Sequence, residues 1–328
     1  MLPFRYARAA TVDQAIAAGA APNTAFLAGG TELLNWLRLG VAVPARLVDI
    51  TRLDGLARIE PLPDGGLRIG ALAALSEVAR HERVVRDYPV LHQAILRAAS
   101  PQLRNLATIG GNPLQHTRCP YYRATEPLPC NKRVPGSGCS ARYGLNDRHA
   151  IFGWTDDCVA TQPSDPAVAF AALDAVFATE RAAGGRRIPA TALHPLPAAP
   201  WPHHVLEPGE LITAIELPPP APRSAYVKVR ERESYEYATV SAAVVIELDG
   251  AAIRRARVAL GSVAHRPWRL TATEEALVGI DTGNVGGLRR SLDESFVEAR
   301  PLAHNGHKIP LAKAAAFRAI ELALRTLP

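Results

Sequence analysis

The sequence predicts an α+β protein built as two domains. Three observations carry that prediction. Up to residue 217, short apolar strands alternate with helical segments and paired glycines. Pro218-Pro219-Pro220-Ala221-Pro222 is then the sharpest break in composition and reads as a stiff linker. Beyond it, Ser224–Val229, Ala238–Leu248 and Ala252–Leu260 read as three antiparallel strands, with Asp249-Gly250 as a hairpin turn. Helices follow at Thr271–Leu277, Leu288–Glu298 and Leu311–Leu327.

Bulk properties exclude several classes. The chain has 328 residues, 48% apolar and 21% charged, enough to bury substantial cores. Lys and Arg total 37 against 31 Asp and Glu, a formal charge of +6. The excess is spread out, with no basic block interleaved with aromatics, so no nucleic-acid partner is expected. The longest apolar stretch, Ala167–Ala178, is short and contains Asp174, so no membrane insertion is expected. The amino end, Met1-Leu2-Pro3-Phe4-Arg5-Tyr6, lacks the basic-then-apolar pattern of an export signal.

Taken in order, Thr11 caps an alanine-rich helix, and Thr24–Ala28 reads as a short buried strand. That strand runs into Gly29-Gly30-Thr31-Glu32-Leu33-Leu34 and a helix ending at Gly40. Strand, glycines, hydroxyl and helix start suit a backbone approaching a phosphate, because missing Cβ atoms let amides point at the anion. Neither Gly-x-Gly-x-x-Gly nor Gly-x4-Gly-Lys-Ser/Thr is present, and taken alone the motif also fits a plain tight turn. Arg46–Ile50 and Gly66–Ala71 are further strands, and Leu75–Arg83 and Tyr88–Ser100 are helical. Thr108-Ile109-Gly110-Gly111-Asn112 repeats the hydroxyl and double glycine; two opposed loops can supply the many donors a diphosphate needs. Ala167–Val176 is an apolar helix or strand, Ala190–Glu210 is proline-rich and irregular, and Leu211–Leu217 is a strand.

All four cysteines, Cys119, Cys130, Cys139 and Cys158, lie in one segment rich in proline, glycine and arginine, including Pro120, Pro127, Pro129, Pro135, Gly136 and Gly138. Four clustered cysteines offer a way to order such a segment, through a metal centre or two disulfides; four thiols merely buried is the plain alternative, weakened because the segment is not apolar enough to bury them. No close Cys-x2–4-Cys pair is present, which disfavours zinc. Spacing leaves an iron–sulfur cluster, zinc and two disulfides open. No Ser-His-Asp order, His-Glu-x-x-His or paired-carboxylate motif marks a catalytic residue of the chain's own.

Phe26–Leu34 followed by Ala107–Asn112, Pro163-Ser164-Asp165-Pro166 and Lys228–Ser241 resembles the FAD-binding medium subunit of the molybdenum hydroxylases, the xanthine dehydrogenase family. The resemblance spans nearly the whole chain. It implies a two-part FAD-binding domain of the vanillyl-alcohol-oxidase/PCMH type at 1–220, with parts 1–58 and 59–220 and an iron–sulfur insert at about 113–160. A smaller α+β domain at 223–328 follows. His116-Thr117-Arg118-Cys119-Pro120-Tyr121-Tyr122-Arg123 and the other three cysteines resemble the subset that includes bacterial periplasmic aldehyde oxidoreductases, whose insert holds a 4Fe–4S cluster. Benzoyl-CoA reductases that remove a phenolic hydroxyl share such an insert.

The family implies FAD contacts from Phe26, Leu27, Ala28, Gly29, Gly30, Thr31, Glu32, Leu33 and Leu34, and from Thr108, Gly110, Gly111 and Asn112. It also implies that Asp165 binds a ribityl or sugar hydroxyl and that Lys228 stands near the flavin. Their alternatives are a helix cap and an exposed strand lysine. Tyr235 and Tyr237 either shield a ring or pack, and His116 and His149, which flank the cysteines, are groups supporting the ligands from behind or surface groups, since four thiolates already complete a cluster. The implied partners are a large molybdenum-cofactor subunit, a small 2Fe–2S subunit in a heterotrimer, and an external electron acceptor. The implied activity is electron transfer within an aldehyde oxidoreductase, and the implied place is the periplasm, reached with a signal-bearing partner. The alternatives are a cytoplasmic hydroxybenzoyl-CoA reductase or xanthine dehydrogenase-like enzyme, and, from another class, a zinc-stabilised binding module.

Overall fold

A computed structural model describes residues 1–126 and 128–325. Pro127 and the Leu327 end of the last helix read from the sequence lie outside those residues. Three sheets organise the described chain. The first is parallel: β1 (Arg5–Arg8), β2 (Thr24–Leu27) and β3 (Arg46–Asp49), with β3 in the middle. The helix Val12–Gly19, capped by Thr11, connects β1 to β2. The helix Leu33–Leu39 connects β2 to β3 and ends where Gly40 turns left-handed at φ 66°.

The second sheet is antiparallel and runs β4 (Ile59–Pro61), β5 (Leu67–Gly70), β8 (Leu211–Leu217), β6 (Val176–Glu180), β7 (Arg186–Pro189). Between β5 and β6 come the helices at Leu75–Arg80, Glu82–Asp87, Pro89–Arg97 and Asp165–Ala172, and the cysteine-bearing segment. The apolar run from Ala167 therefore divides into a helix and a strand. The expected helix over Leu75–Arg83 breaks at His81, whose backbone is extended.

The third sheet has the order β12-β11-β10-β9, from β9 (Ser224–Val229), β10 (Val240–Asp249), β11 (Ala252–Gly261) and β12 (Trp268–Arg269). It has four strands, where the sequence predicts three. Two residues after Pro267 carry no alternation to read, yet they pair with Ala259 and Leu260. Side chains alternate between two cores along β10. Ala242, Val244 and Ile246 face the core shared with the helices Thr271–Leu277, Val285–Phe296 and Lys308–Arg325. Ala243 and Val245 join the core of the second sheet. A strand buried on both faces reads as one continuous apolar run, as Ala242–Ile246 does.

Candidate functional site

A cleft of about 590 Å³ opens beside the end of β2, within the usual range for a cofactor site. Its walls come from Thr24–Phe26 of β2, Ala28–Leu33 and Trp36 of the loop and helix after it, Leu103 of the short helix Pro101–Arg104, Thr108, Gly111, Asn112 and Gln115 of the second loop, and His116, Arg118, His204, Glu207–Glu210 and Tyr237. The two glycine loops abut. A Cβ on Gly29 would lie 1.8 Å from the Leu106 carbonyl oxygen, so only glycine lets them meet.

The first loop supplies free donors. Among the described residues, the amides of Gly29, Gly30, Thr31 and Glu32 donate to no protein acceptor, and all four residues line the cleft. Gly30 adopts φ 69°, outside the range of most side chains. Three buried polar atoms on the same walls also lack partners: Thr24 Oγ1, Arg118 Nε and His204 Nδ1. Unpaired buried polar groups are costly, so this is a surface shaped to take a ligand rich in acceptors. These features fit the diphosphate and hydroxyls of FAD.

The second loop contributes less than the sequence suggests. The Gly110 amide donates to Ala71 O at 2.9 Å, Gly111 N to Thr108 Oγ1 at 3.3 Å and Asn112 N to Thr108 O at 3.0 Å. A Cβ on Gly110 would sit 2.6 Å from that of Ala71, so this glycine makes room for a neighbouring chain segment. Gly110, Leu27 and Leu34 are absent from the cleft wall. Leu27 packs around Leu33, Leu37 and Leu47, and Leu34 faces solvent.

Asp165 and Lys228 come together, away from that wall. Lys228 Nζ donates to Asp165 Oδ2 at 2.8 Å and to Arg97 O at 3.0 Å, and the Tyr226 hydroxyl donates to Asp165 Oδ1 at 2.5 Å. Burial pushes the Asp165 carboxyl above its ordinary range, and the lysine opposes that. The lysine is therefore buried, not exposed. The helix cap is Ser164, one residue earlier: its Oγ accepts from Ala167 N at 3.1 Å and donates to Asn112 Oδ1 at 2.7 Å. Asp165 occupies the first turn. Tyr237 lines the cleft beneath the Arg118 guanidinium, 4.4 Å from its ring centre, whereas Tyr235 faces solvent.

Glu32 ties the cleft to the cysteine segment. Its carboxylate accepts from Arg118 at 2.5 Å, Arg123 at 3.4 Å and Trp36 Nε1 at 2.5 Å. Trp36 stacks on His116 with centroids 3.6 Å apart, and His116 stacks on His203 at 3.7 Å. His116 Nδ1 lies 2.6 Å from the Tyr122 hydroxyl, and burial holds its pKa down to about 3. Sequence reasoning missed Trp36, Arg118 and His204 as cleft residues. They reach it from separate segments, and no local pattern announces that.

Cys119, Cys130, Cys139 and Cys158 all line one small void, with Tyr122 and Lys132 beside them. All four are free thiols, which removes the disulfide reading. Among the described residues, no three His, Cys, Asp or Glu side chains are grouped to hold a metal ion. Burial pushes the Cys119 thiol up to about 12 and that of Cys158 to about 11, so both stay protonated unless a cationic group displaces the protons. One backbone bridge joins Cys130 to Cys139, and another closes the tight turn Thr155–Cys158. Among the described residues, no helix is long and apolar enough to cross a membrane.

Known proteins match the chain over nearly its whole length. Residues 2–220 match the FAD binding domain in molybdopterin dehydrogenase, and residues 225–323 match the CO dehydrogenase flavoprotein C-terminal domain. The chain is 46% identical over 317 residues to the aldehyde oxidoreductase FAD-binding subunit PaoB of Escherichia coli, covering 95% of this chain and 96% of that one. It is 28% identical over 278 residues to the glyceraldehyde dehydrogenase medium chain of Sulfolobus acidocaldarius, covering 84% and 81%. In fold it is similar to a chain of the Cu,Mo-CO dehydrogenase crystal structure, with a TM-score of 0.77, 23% identity and full coverage of both chains. The cleft with its open amides, and a family match across both domains, make this chain an FAD-binding medium subunit of the molybdenum hydroxylase family.

Proposed function

We propose that this chain serves as the electron-accepting subunit of a molybdenum-dependent complex that oxidises aldehydes. The run of unpaired amides from Gly29 to Glu32 carries the flavin part of the reading. The similarity to an aldehyde oxidoreductase subunit over nearly the full length supports the substrate class. FAD, when bound, supplies exchange between single electrons and electron pairs. The chain's own residues do the rest. Gly29–Glu32 present donors to the diphosphate, Thr24 and His204 offer unpaired polar atoms, and the Arg118–Tyr237 pair closes one wall. Electrons arrive from a large molybdenum-cofactor subunit through a small 2Fe–2S subunit and leave to an external acceptor. The chain reaches the periplasm with a signal-bearing partner; deleting that partner's signal and finding the chain's location unchanged would refute this.

The four cysteines are read as ligands of one 4Fe–4S cluster. They are free and line one void. A cubane places its thiolates at four corners rather than on one centre. Arg118, Arg123 and Lys132 provide positive charge around a segment that would carry negative charge when loaded. The test is the absorbance spectrum and metal content of the full chain co-expressed with its partners. Flavin bands, about four irons per chain beyond the partner's, and bleaching on aldehyde addition support the reading. Zinc, or a spectrum without flavin, overturns it.

A further inference from the structure

His149 is buried, and its Nε2 lies 3.2 Å from Cys119 Sγ. Among the described residues its Nδ1 makes no hydrogen bond of good geometry, although the Asn146 backbone lies close enough to act on the ring. A thiolate offers only acceptor capacity, so against a Cys119 thiolate the imidazole proton must sit on Nε2. The ring is placed from the other domain. Lys308 is fully buried, and its Nζ donates to the carbonyls of Arg148 (3.2 Å), His149 (2.8 Å) and Ser262 (2.5 Å). An ammonium has three protons, and each has a carbonyl to itself. Asn305 Nδ2 adds bonds to His149 O at 3.2 Å and Ala150 O at 3.0 Å. Among the described residues, Lys308 forms no ion pair, and burial pushes its pKa down to about 7 against the pull of Asp147, so these carbonyls are what hold it in place.

We propose that His149 is a positioning residue for the cluster: it donates an N–H···S bond to the Cys119 thiolate and raises the cluster's reduction potential. The inference rests on the 4Fe–4S reading of the cysteines. Hydrogen bonds to ligand sulfurs withdraw electron density and favour the more negative, reduced state, which is how a protein sets such potentials. Among the described residues, His149 is the side chain that reaches a cysteine sulfur within hydrogen-bonding distance. Backbone amides at Tyr121 and Tyr122 also point at Cys119, so this sulfur receives more donors than amides alone provide. Lys308 and Asn305 hold the ring's backbone, which makes the potential of a centre in the first domain depend on the start of the last helix in the second.

The test uses the full chain purified with its cofactors. Iron content is measured first, then the cluster is titrated potentiometrically under electron paramagnetic resonance. His149→Phe should keep its iron and shift the reduction equilibrium at least tenfold toward the oxidised state, about 59 mV for one electron. His149→Gln, whose side-chain amide reaches the Nε2 position, should recover most of that shift, which a packing role would not produce. Wild-type protein grown with 15N-histidine serves if a variant loses iron: pulsed resonance of the reduced cluster should show one coupled histidine nitrogen. Iron present with an unshifted His149→Phe potential, or no histidine coupling in the wild type, overturns the inference and leaves the cluster reading standing. Wild-type chain without iron overturns the cluster reading itself.

Discussion

Replacing Lys228 by methionine tests what holds the junction between the two domains. The side chains of Lys228 and Asp165 are 1% and 6% exposed, and their ion pair is 2.8 Å long. Methionine fills much of the same space, so the main cost is a carboxylate left buried without its cation. Breaking a buried pair from one side costs about 3–5 kcal/mol. Burial already raises the Asp165 carboxyl above its ordinary 3.8. Without the lysine it rises further, and the folded variant then takes up a proton that the unfolded chain does not hold. Stability from that proton is fully present below the unfolded value and is lost as pH rises through the folded one. The deficit of Lys228→Met is therefore smaller at pH 5 than at pH 8. Adding Asp165→Asn removes the orphan charge and should restore most of the loss. The assay is urea denaturation of the flavin-free chain followed by tryptophan fluorescence, with FAD titrated in parallel. A deficit under about 1 kcal/mol, or one equally large at both pH values, refutes the orphan-charge account. Unchanged stability with FAD lost would instead return Lys228 to the flavin.

Other outcomes follow from the same geometry. Gly29→Ala should push the two loops apart and leave the chain flavin-poor; near-stoichiometric FAD after purification would refute the abutting-loop argument. Glu32→Gln weakens its bonds to Arg118 and Arg123, and FAD should bind roughly tenfold more weakly, a loss of about 1.4 kcal/mol readable by fluorescence titration. Cys130→Ser should lower iron content and weaken FAD retention together, since Glu32 links the two regions; FAD retained at full strength in iron-free protein breaks that link. His194 is held down to about 4 and His265 to about 3 by burial, so stability should be complete above about pH 6.5 and fall as pH drops toward 4. A flat thermal-unfolding profile across that window would count against neutral buried imidazoles.

The sequence makes the first glycine loop legible because Gly-Gly-Thr before a helix has a local cause. The same signal at Gly110 misleads: a missing Cβ shows that something approaches, and only the fold shows that it is Ala71. Strand β10 was readable from its apolar run, but β1 was not, since all four of its residues are exposed and do not alternate. Arg118, Trp36 and His204 reach the cleft from three separate stretches. Likewise, Asp165 and Lys228 each resemble a ligand residue, and their pairing is invisible until the domains meet. The cysteines could be found by composition, while their free state and common void needed three dimensions.

The place of β8 at the centre of the second sheet has a consequence for how the protein is made. Its neighbours are β5, at residues 67–70, and β6, at residues 176–180, while β8 itself comes at residues 211–217. The sheet cannot close until roughly two-thirds of the chain has left the ribosome, and long-range pairings of this kind form slowly. All four thiols emerge before that moment, on a segment with no finished scaffold beneath it. If they take up the cluster proposed above, iron reaching them before the sheet closes would set the yield of loaded protein, and iron shortage should show first as flavin-poor chains.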